Sequence, residues 1–132
     1  MSKERYISYI QYYDDMLNMV RSIDFDFDCI VALKRSGWIL GAYMSNVLEK
    51  PLFTYSEIDS IPVKFSRVLV VDDKICKGKS ISKALVKLKN KQTRTACMYV
   101  EGLVYPDYYS LDLKGVIHKM WYESNEEKNK LK

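Results

Sequence analysis

The sequence predicts an α/β protein with one open, mostly parallel sheet flanked by helices. Three observations predict it. Short, continuous apolar runs, the mark of strands buried on both faces, occur at 29–33, 68–71 and 96–100. Stretches with apolar residues at every third or fourth position, the mark of helices, fall between and before them. The spacing of the two kinds of segment suits crossover connections between parallel strands. The 132 residues fit one domain, 1–132, and 48% hydrophobic residues supply enough apolar surface for a core.

The elements follow in order. Tyr6, Ile10, Tyr13, Leu17 and Val20 recur at helical spacing and predict a helix over 3–23. Residues 24–28 alternate Asp with Phe and read as a connector. Cys29-Ile30-Val31-Ala32-Leu33 is a buried strand, broken by Lys34-Arg35-Ser36-Gly37. A helix over 38–48 has Gly41-Ala42 as a small face for close packing, and Pro51 closes that region. Residues 52–55 form a second strand, and 56–65, with Pro62 and no period, read as a loop. Val68-Leu69-Val70-Val71 is the strongest strand signal, and 74–79 is a loop. Ile81, Ala84, Leu85 and Leu88 mark the next helix, and 96–100 is the last clear strand. Residues 105–123 hold scattered aromatics, and 124–132 form a charged tail.

Composition narrows the function. Lysine and arginine number 21 against 17 acids, a formal charge of +4 that favours phosphate-bearing partners without requiring nucleic acid. No apolar run reaches the roughly 18 residues of a membrane span, and no apolar core near the N-terminus suggests an export signal. Three widely spaced cysteines, Cys29, Cys76 and Cys97, fit neither a disulfide framework nor a zinc site, so a reducing, cytoplasmic setting is expected. A single histidine, His118, and the lack of a Gly-x-Ser-x-Gly elbow leave little for a Ser-His-Asp triad.

The informative stretch is Val68-Leu69-Val70-Val71-Asp72-Asp73-Lys74-Ile75-Cys76-Lys77-Gly78-Lys79-Ser80. A buried strand delivers two adjacent carboxylates to the sheet edge, where ligands of open α/β sheets sit. A loop with Gly78 then leads into a helix, whose first amides and positive dipole end suit an anion. Acids on one side and an anion cradle on the other match a phosphorylated sugar. The turn 34–37 is expected at the same edge, beside 72–80. Gly78-Lys79-Ser80 resembles the end of a P-loop, but the residue five positions before Gly78 is Asp73, not glycine. Val70-Val71-Asp72-Asp73 resembles the first strand of a receiver domain, but too little chain follows for the rest of that sheet. Taken alone, two acids after a strand also serve to cap a loop. No acid occurs from Lys74 to Arg94. Lys74, Lys77 and Lys79 sit in the cradle and are expected to attract phosphate, whereas the lysines from Lys83 onward read as a solvated face. Without interleaved aromatics the segment is a poor nucleic-acid binder.

The stretch resembles the phosphoribosyl pyrophosphate (PRPP) motif of the type I phosphoribosyltransferases: four apolar residues, two acids, a short loop, a glycine and a hydroxyl residue. Ile30-Val31-Ala32-Leu33-Lys34-Arg35-Ser36-Gly37-Trp38-Ile39-Leu40-Gly41-Ala42 is similar to that family's pyrophosphate-loop segment. Tyr105-Pro106-Asp107-Tyr108-Tyr109 and Met120-Trp121-Tyr122-Glu123 are similar to the hood over the base in its small xanthine, guanine and hypoxanthine members. The resemblance implies a Mg²⁺-dependent transfer of ribosyl 5-phosphate from PRPP to a nucleobase, with release of pyrophosphate. It implies Asp72 and Asp73 on the ribose hydroxyls and near Mg²⁺. It implies Cys76, Lys77, Gly78, Lys79 and Ser80 around the 5′-phosphate, and Lys34, Arg35, Ser36 and Gly37 on pyrophosphate. Glu101, Met120 and Trp121 would meet the base, with 105–123 as a small C-terminal hood. A cytoplasmic homodimer is expected, with no membrane partner.

The chain departs from the purine-type pattern at four places. Cys76 and Lys77 stand where an acid and a threonine are usual, and Glu101 stands near the position of a lysine that faces a 6-oxo group. The segment 56–65 is short for a mobile closing loop, and Tyr122 separates Trp121 from Glu123 with no proline before them. These departures imply an alternative: a catalytically weakened PRPP- or nucleotide-binding regulatory protein of the same fold.

Overall fold

The computed structural model describes residues 4–115, 117–120 and 130. The chain begins with β1 (Glu4–Ile7) and α1 (Tyr9–Ser22). The helix expected over 3–23 is therefore shorter at its start. The Ser8 side chain accepts the Gln11 backbone N–H at 3.1 Å and caps α1 there. Residues before the cap are extended because β1 finds a partner far along the sequence, which local periodicity does not reveal.

Next come β2 (Cys29–Ala32) and α2 (Lys34–Leu48). The break expected at 34–37 is the first turn of α2. Lys34 leaves the strand at φ +53, and Glu49 ends the helix at φ +54, followed by Pro51. Gly41 seats α2 on the sheet: a Cβ there would lie 2.7 Å from Ala32 Cβ and 3.0 Å from Leu52 Cδ1. The small face expected at Gly41 thus has a packing role. Then follow β3 (Leu52–Thr54) and a 3-10 helix (Tyr55–Ser60) in part of the stretch expected as a loop. The Thr54 backbone N–H and hydroxyl both donate to Glu57 Oε1 at 2.9 Å, and Ile58 and Ile61 are buried beneath.

The central strand β4 (Arg67–Ile75) runs four residues past the end of its apolar run, so Asp72 and Asp73 belong to the strand and not to a loop. α3 (Lys79–Lys87), β5 (Gln92–Val100), β6 (Tyr108–Asp112) and β7 (Ile117–Met120) complete the described elements. Five strands pair in the order β3-β2-β4-β5-β6, every pair parallel, and β1 pairs with β7 in a separate two-stranded parallel sheet. The expected open parallel sheet is present, but the first part of the expected hood is its edge strand, β6. Trp121, Tyr122, Glu123 and, apart from Lys130, the tail 124–132 lie outside the described residues.

Both faces of the sheet are covered, as parallel strands require. One core cluster joins Met16, Met19, Leu40 and Met44 to Ile30, Leu69 and Val71. The other joins Ile58, Ile81, Ala84 and Leu88 to Val31, Val68 and Val70. Each fully buried aliphatic side chain contributes about 1.5–3 kcal/mol. Ile75 packs in the same cluster as Val68 and Val70, so the alternation of β4 slips by one residue across the Asp72–Asp73 segment. The same slip separates Cys97 from Val100 in β5.

Candidate active site

A cleft of about 450 Å³ opens at the carboxyl ends of β2 and β4. Lys34 and Ser36, from the first turn of α2, form one wall. Asp72, Asp73, Lys74 and Ile75, from the end of β4, form its base, and the bend Cys76, Lys77, Gly78 with Lys79, Ser80 and Ile81 of α3 forms the next wall. Glu101, one residue past β5, also lines it. The turn at 34–37 and the segment 72–80 are thus brought together, because β2 and β4 are parallel neighbours with Ala32 level with Val71.

Two of the residues predicted to hold pyrophosphate do not line this cleft. Arg35 is exposed outside it. Gly37 is buried behind the wall, where a Cβ would meet Asp72 Cα and Oδ1 at 3.1 Å and Val71 O at 3.3 Å. Its missing side chain lets the turn lie directly against β4. Met120 ends β7, and Trp121 lies outside the described residues.

Asp72 and Asp73 are both buried, at 4% and 6% exposure. The Asp73 backbone N–H donates to Asp72 Oδ1 at 2.8 Å. Burial, then the hydrogen bond to the Asp73 side chain and its charge, holds the Asp72 carboxyl well above the usual carboxylate range, while that N–H and Lys34 pull it down. Two carboxyl groups this close resist joint ionisation unless hydroxyl donors or a cation meet them. Cys97, level with Asp72 on the neighbouring β5, has its thiol pushed up by burial and by both acids, which makes it inert. Cys76 is exposed and lines the cleft.

Positive charge lines the same cleft. Lys34, Lys74, Lys77 and Lys79 all line it; the loop expected over 74–79 is shorter, because Lys74 lies in β4 and Lys79 starts α3, but its three lysines still face the cleft. Lys74 Nζ is 3.4 Å from Glu101 Oε1, an ion pair that sequence reasoning missed because the two residues meet only across β4 and β5. Gly78 precedes α3 at φ +75, in the left-handed region that suits glycine. It provides no side-chain cap, and the first turn of α3 holds no acid, so the first amides are left for water or an anion. Lys34, a non-glycine residue at φ +53, carries a backbone cost of about 1 kcal/mol, a feature that clusters at ligand clamps.

Among the described residues no group of three or more His, Cys, Asp or Glu is arranged to hold a metal ion. The Asp72–Asp73 pair offers part of an oxygen shell, which suits a Mg²⁺ that takes its other ligands from water and from a phosphorylated substrate. A second pocket of about 420 Å³ adjoins the cleft and shares Lys34 and Ser80 with it. Its other residues, Trp38, Tyr55 and Lys83 among them, carry no motif that would mark them in the sequence.

The fold is that of known phosphoribosyltransferases. The chain is similar to xanthine-guanine-hypoxanthine phosphoribosyltransferase of Helicobacter pylori, with a TM-score of 0.83 and 18% identity over 100% of both chains. It is similar to a purine phosphoribosyltransferase of Pyrococcus horikoshii, with a TM-score of 0.77 and 22% identity over 92% of this chain and 95% of that one. It is also similar to a hypothetical protein of Neisseria gonorrhoeae with bound ppGpp, with a TM-score of 0.78 and 15% identity over 99% of this chain and 96% of that one. No family model and no curated protein matches the sequence. The class defined is the type I phosphoribosyltransferase fold, as the sequence resemblance implied. No helix among the described residues is long and apolar enough to cross a membrane.

Proposed function

We propose that the chain is a Mg²⁺-dependent phosphoribosyltransferase that moves the ribosyl 5-phosphate of PRPP onto a nucleobase. The observation that carries this reading is the buried Asp72–Asp73 pair facing the same cleft as the uncapped bend at 76–80. The carboxylates accept the ribose 2′ and 3′ hydroxyls. The amides of the bend and the Ser80 hydroxyl hold the 5′-phosphate. Lys34 and Ser36 hold pyrophosphate, with Arg35 reaching from the rim and Gly37 setting the distance to β4. Mg²⁺, when bound, draws charge from the leaving pyrophosphate.

In the reaction the bond from C1′ to the pyrophosphate oxygen breaks and pyrophosphate departs with the electron pair. A ring nitrogen of the base forms the new bond to C1′, and its proton passes to solvent. Positive charge gathers on the ribose near Asp72 and Asp73, and negative charge gathers near Lys34, so both walls favour the transition state. Lys74 and Glu101 offer a donor beside an acceptor and read the base edge. The departure at Glu101 is thus balanced by Lys74, which supplies a donor for an exocyclic carbonyl oxygen of the base. Met120 and Trp121 are assigned to the base, with Trp121 stacking on it. A homodimer in the cytoplasm accompanies this reading, and the free thiols of Cys29, Cys76 and Cys97 fit that compartment.

A second reading, a PRPP- or nucleotide-binding regulator of the same fold, is favoured by two observations. The segment after β3 is pinned by the 3-10 helix and buried Ile58 and Ile61, unlike a free closing loop. A solved structure of this fold carries ppGpp. Incubation with PRPP, Mg²⁺ and a panel of bases, followed by chromatography, separates the readings. Release of pyrophosphate that depends on one base is the expected result. Stabilisation by PRPP without turnover favours the regulator, and neither effect overturns both.

A further inference from the structure

The second pocket differs from the cleft in kind. It opens between the start of α2, the junction of β3 with the 3-10 helix, and α3, and most of its wall is apolar. Leu33 is buried within that wall, and Trp38, 43% exposed, presents a large aromatic surface without covering it. Tyr55 adds a second ring, with Lys87 Nζ 4.6 Å from its centroid. No carboxylate among the described residues lines the pocket, whereas Lys34 and Lys83 do. An apolar, aromatic enclosure with cations at its edge selects a planar ring that carries negative charge. The shared residues Lys34 and Ser80 connect it to the phosphate cradle, so the negative charge has a continuous path along lysines and the start of α3.

We propose that this pocket binds the ring of a nucleoside 5′-polyphosphate against Trp38, with its phosphates on Lys34 and Lys83. Because Lys34 serves both spaces, the nucleotide and a pyrophosphate-bearing ligand of the cleft weaken each other. The nucleotide site stands apart from the phosphoribosyl-transfer reading; only the competition touches it.

The chain has two tryptophans, so Trp121→Phe leaves Trp38 as the single reporter. ATP and GTP are titrated against this variant by fluorescence and against the wild type by calorimetry, with inorganic pyrophosphate as the control ligand. Saturable quenching at one site is expected, and excess pyrophosphate should shift it to higher nucleotide concentration. Trp38→Ala and, separately, Lys83→Met should each lower nucleotide affinity about tenfold and leave pyrophosphate affinity within about twofold, which also reports an intact fold. Nucleotide binding that is absent, or unchanged in both variants, overturns the proposal. Binding lost in Asp72→Asn with Asp73→Asn but retained in Trp38→Ala puts the nucleotide in the cleft and overturns it equally. None of these titrations requires turnover, so failure of phosphoribosyl transfer would leave them intact.

Discussion

Two places in this molecule bury carboxyl groups to the same degree, and they differ in what surrounds them. Asp15 of α1 is 6% exposed and lies under the sheet edge. Its Oδ2 accepts the Tyr99 hydroxyl at 2.6 Å, and the Gln11 side-chain amide donates to Oδ1 and Oδ2 at 3.0 and 3.1 Å. The Tyr99 hydroxyl is pushed up by burial first and by Asp15 second, so it stays a donor at every working pH. Asp72 is as deeply buried, yet its hydrogen bonds come from its neighbour Asp73, itself an acid. The first site is closed by donors from within the fold. The second faces a cleft and a like charge that raises the Asp72 carboxyl, so hydroxyl donors or a cation brought by a ligand favour its ionised form. Burial of an acid therefore does not by itself mark a binding site; the source of its donors does.

The largest effect that would test this contrast is at the second site. Asp72→Asn with Asp73→Asn should lower PRPP affinity by about 100-fold or more, since hydrogen bonds to two charged acceptors are lost. Its thermal midpoint should hold or rise, because a buried repulsion is removed. Calorimetry and thermal melts read both, and unchanged PRPP affinity would sink the assignment of the ribose. At the first site the pattern should invert. Tyr99→Phe should cost about 1–3 kcal/mol of stability in urea titrations, because Asp15 stays buried without its hydroxyl donor, while PRPP affinity of the folded protein stays unchanged. A stable Tyr99→Phe variant that binds PRPP poorly would erase the distinction between the two sites.

The smallest effect is the pH dependence. The folded Asp72 carboxyl is raised above its unfolded value, so the native state holds a proton that the unfolded chain has released. The contribution of Asp72 to the stability of the ligand-free protein is therefore greatest below the ordinary carboxylate range and is lost as pH rises through the raised value. Affinity for Mg²⁺ with PRPP, which needs the pair ionised, should rise over the same window. Thermal melts and calorimetry at a series of pH values follow the two opposite slopes, and Asp72→Asn should flatten the stability slope. A stability slope in that window that is the same in the wild type and in Asp72→Asn would contradict the raised carboxyl.

The parts legible in the sequence were those that local chemistry dictates. Continuous apolar runs at 29–33, 68–71 and 96–100 mark β2, β4 and β5, because strands covered on both faces have no polar alternation to hide them. The acids and the bend at 72–80 were legible because they are contiguous and one strand end delivers them together. β1 and β6 were not legible. Each is an edge or a satellite strand, and its pairing with β7 or β5 comes from residues that no local period can indicate. The 3-10 helix escaped notice because its capping by Glu57 and its anchoring by Ile58 depend on where β3 ends. Gly37 was assigned to pyrophosphate, while its position shows a spacing role against Asp72.

By itself the sequence determined the kinds of groups in the cleft: two adjacent acids, a glycine bend, a hydroxyl and a run of lysines with no acid among them. Only the tertiary structure decided which of them face one another. The parallel register that sets Ala32 beside Val71 brings Lys34 to Asp72, and the β4–β5 pairing brings Lys74 to Glu101. It also decided the state of Asp72, because desolvation and the field of a neighbouring charge exist only once the chain is packed around them, and no spacing of residues can supply either.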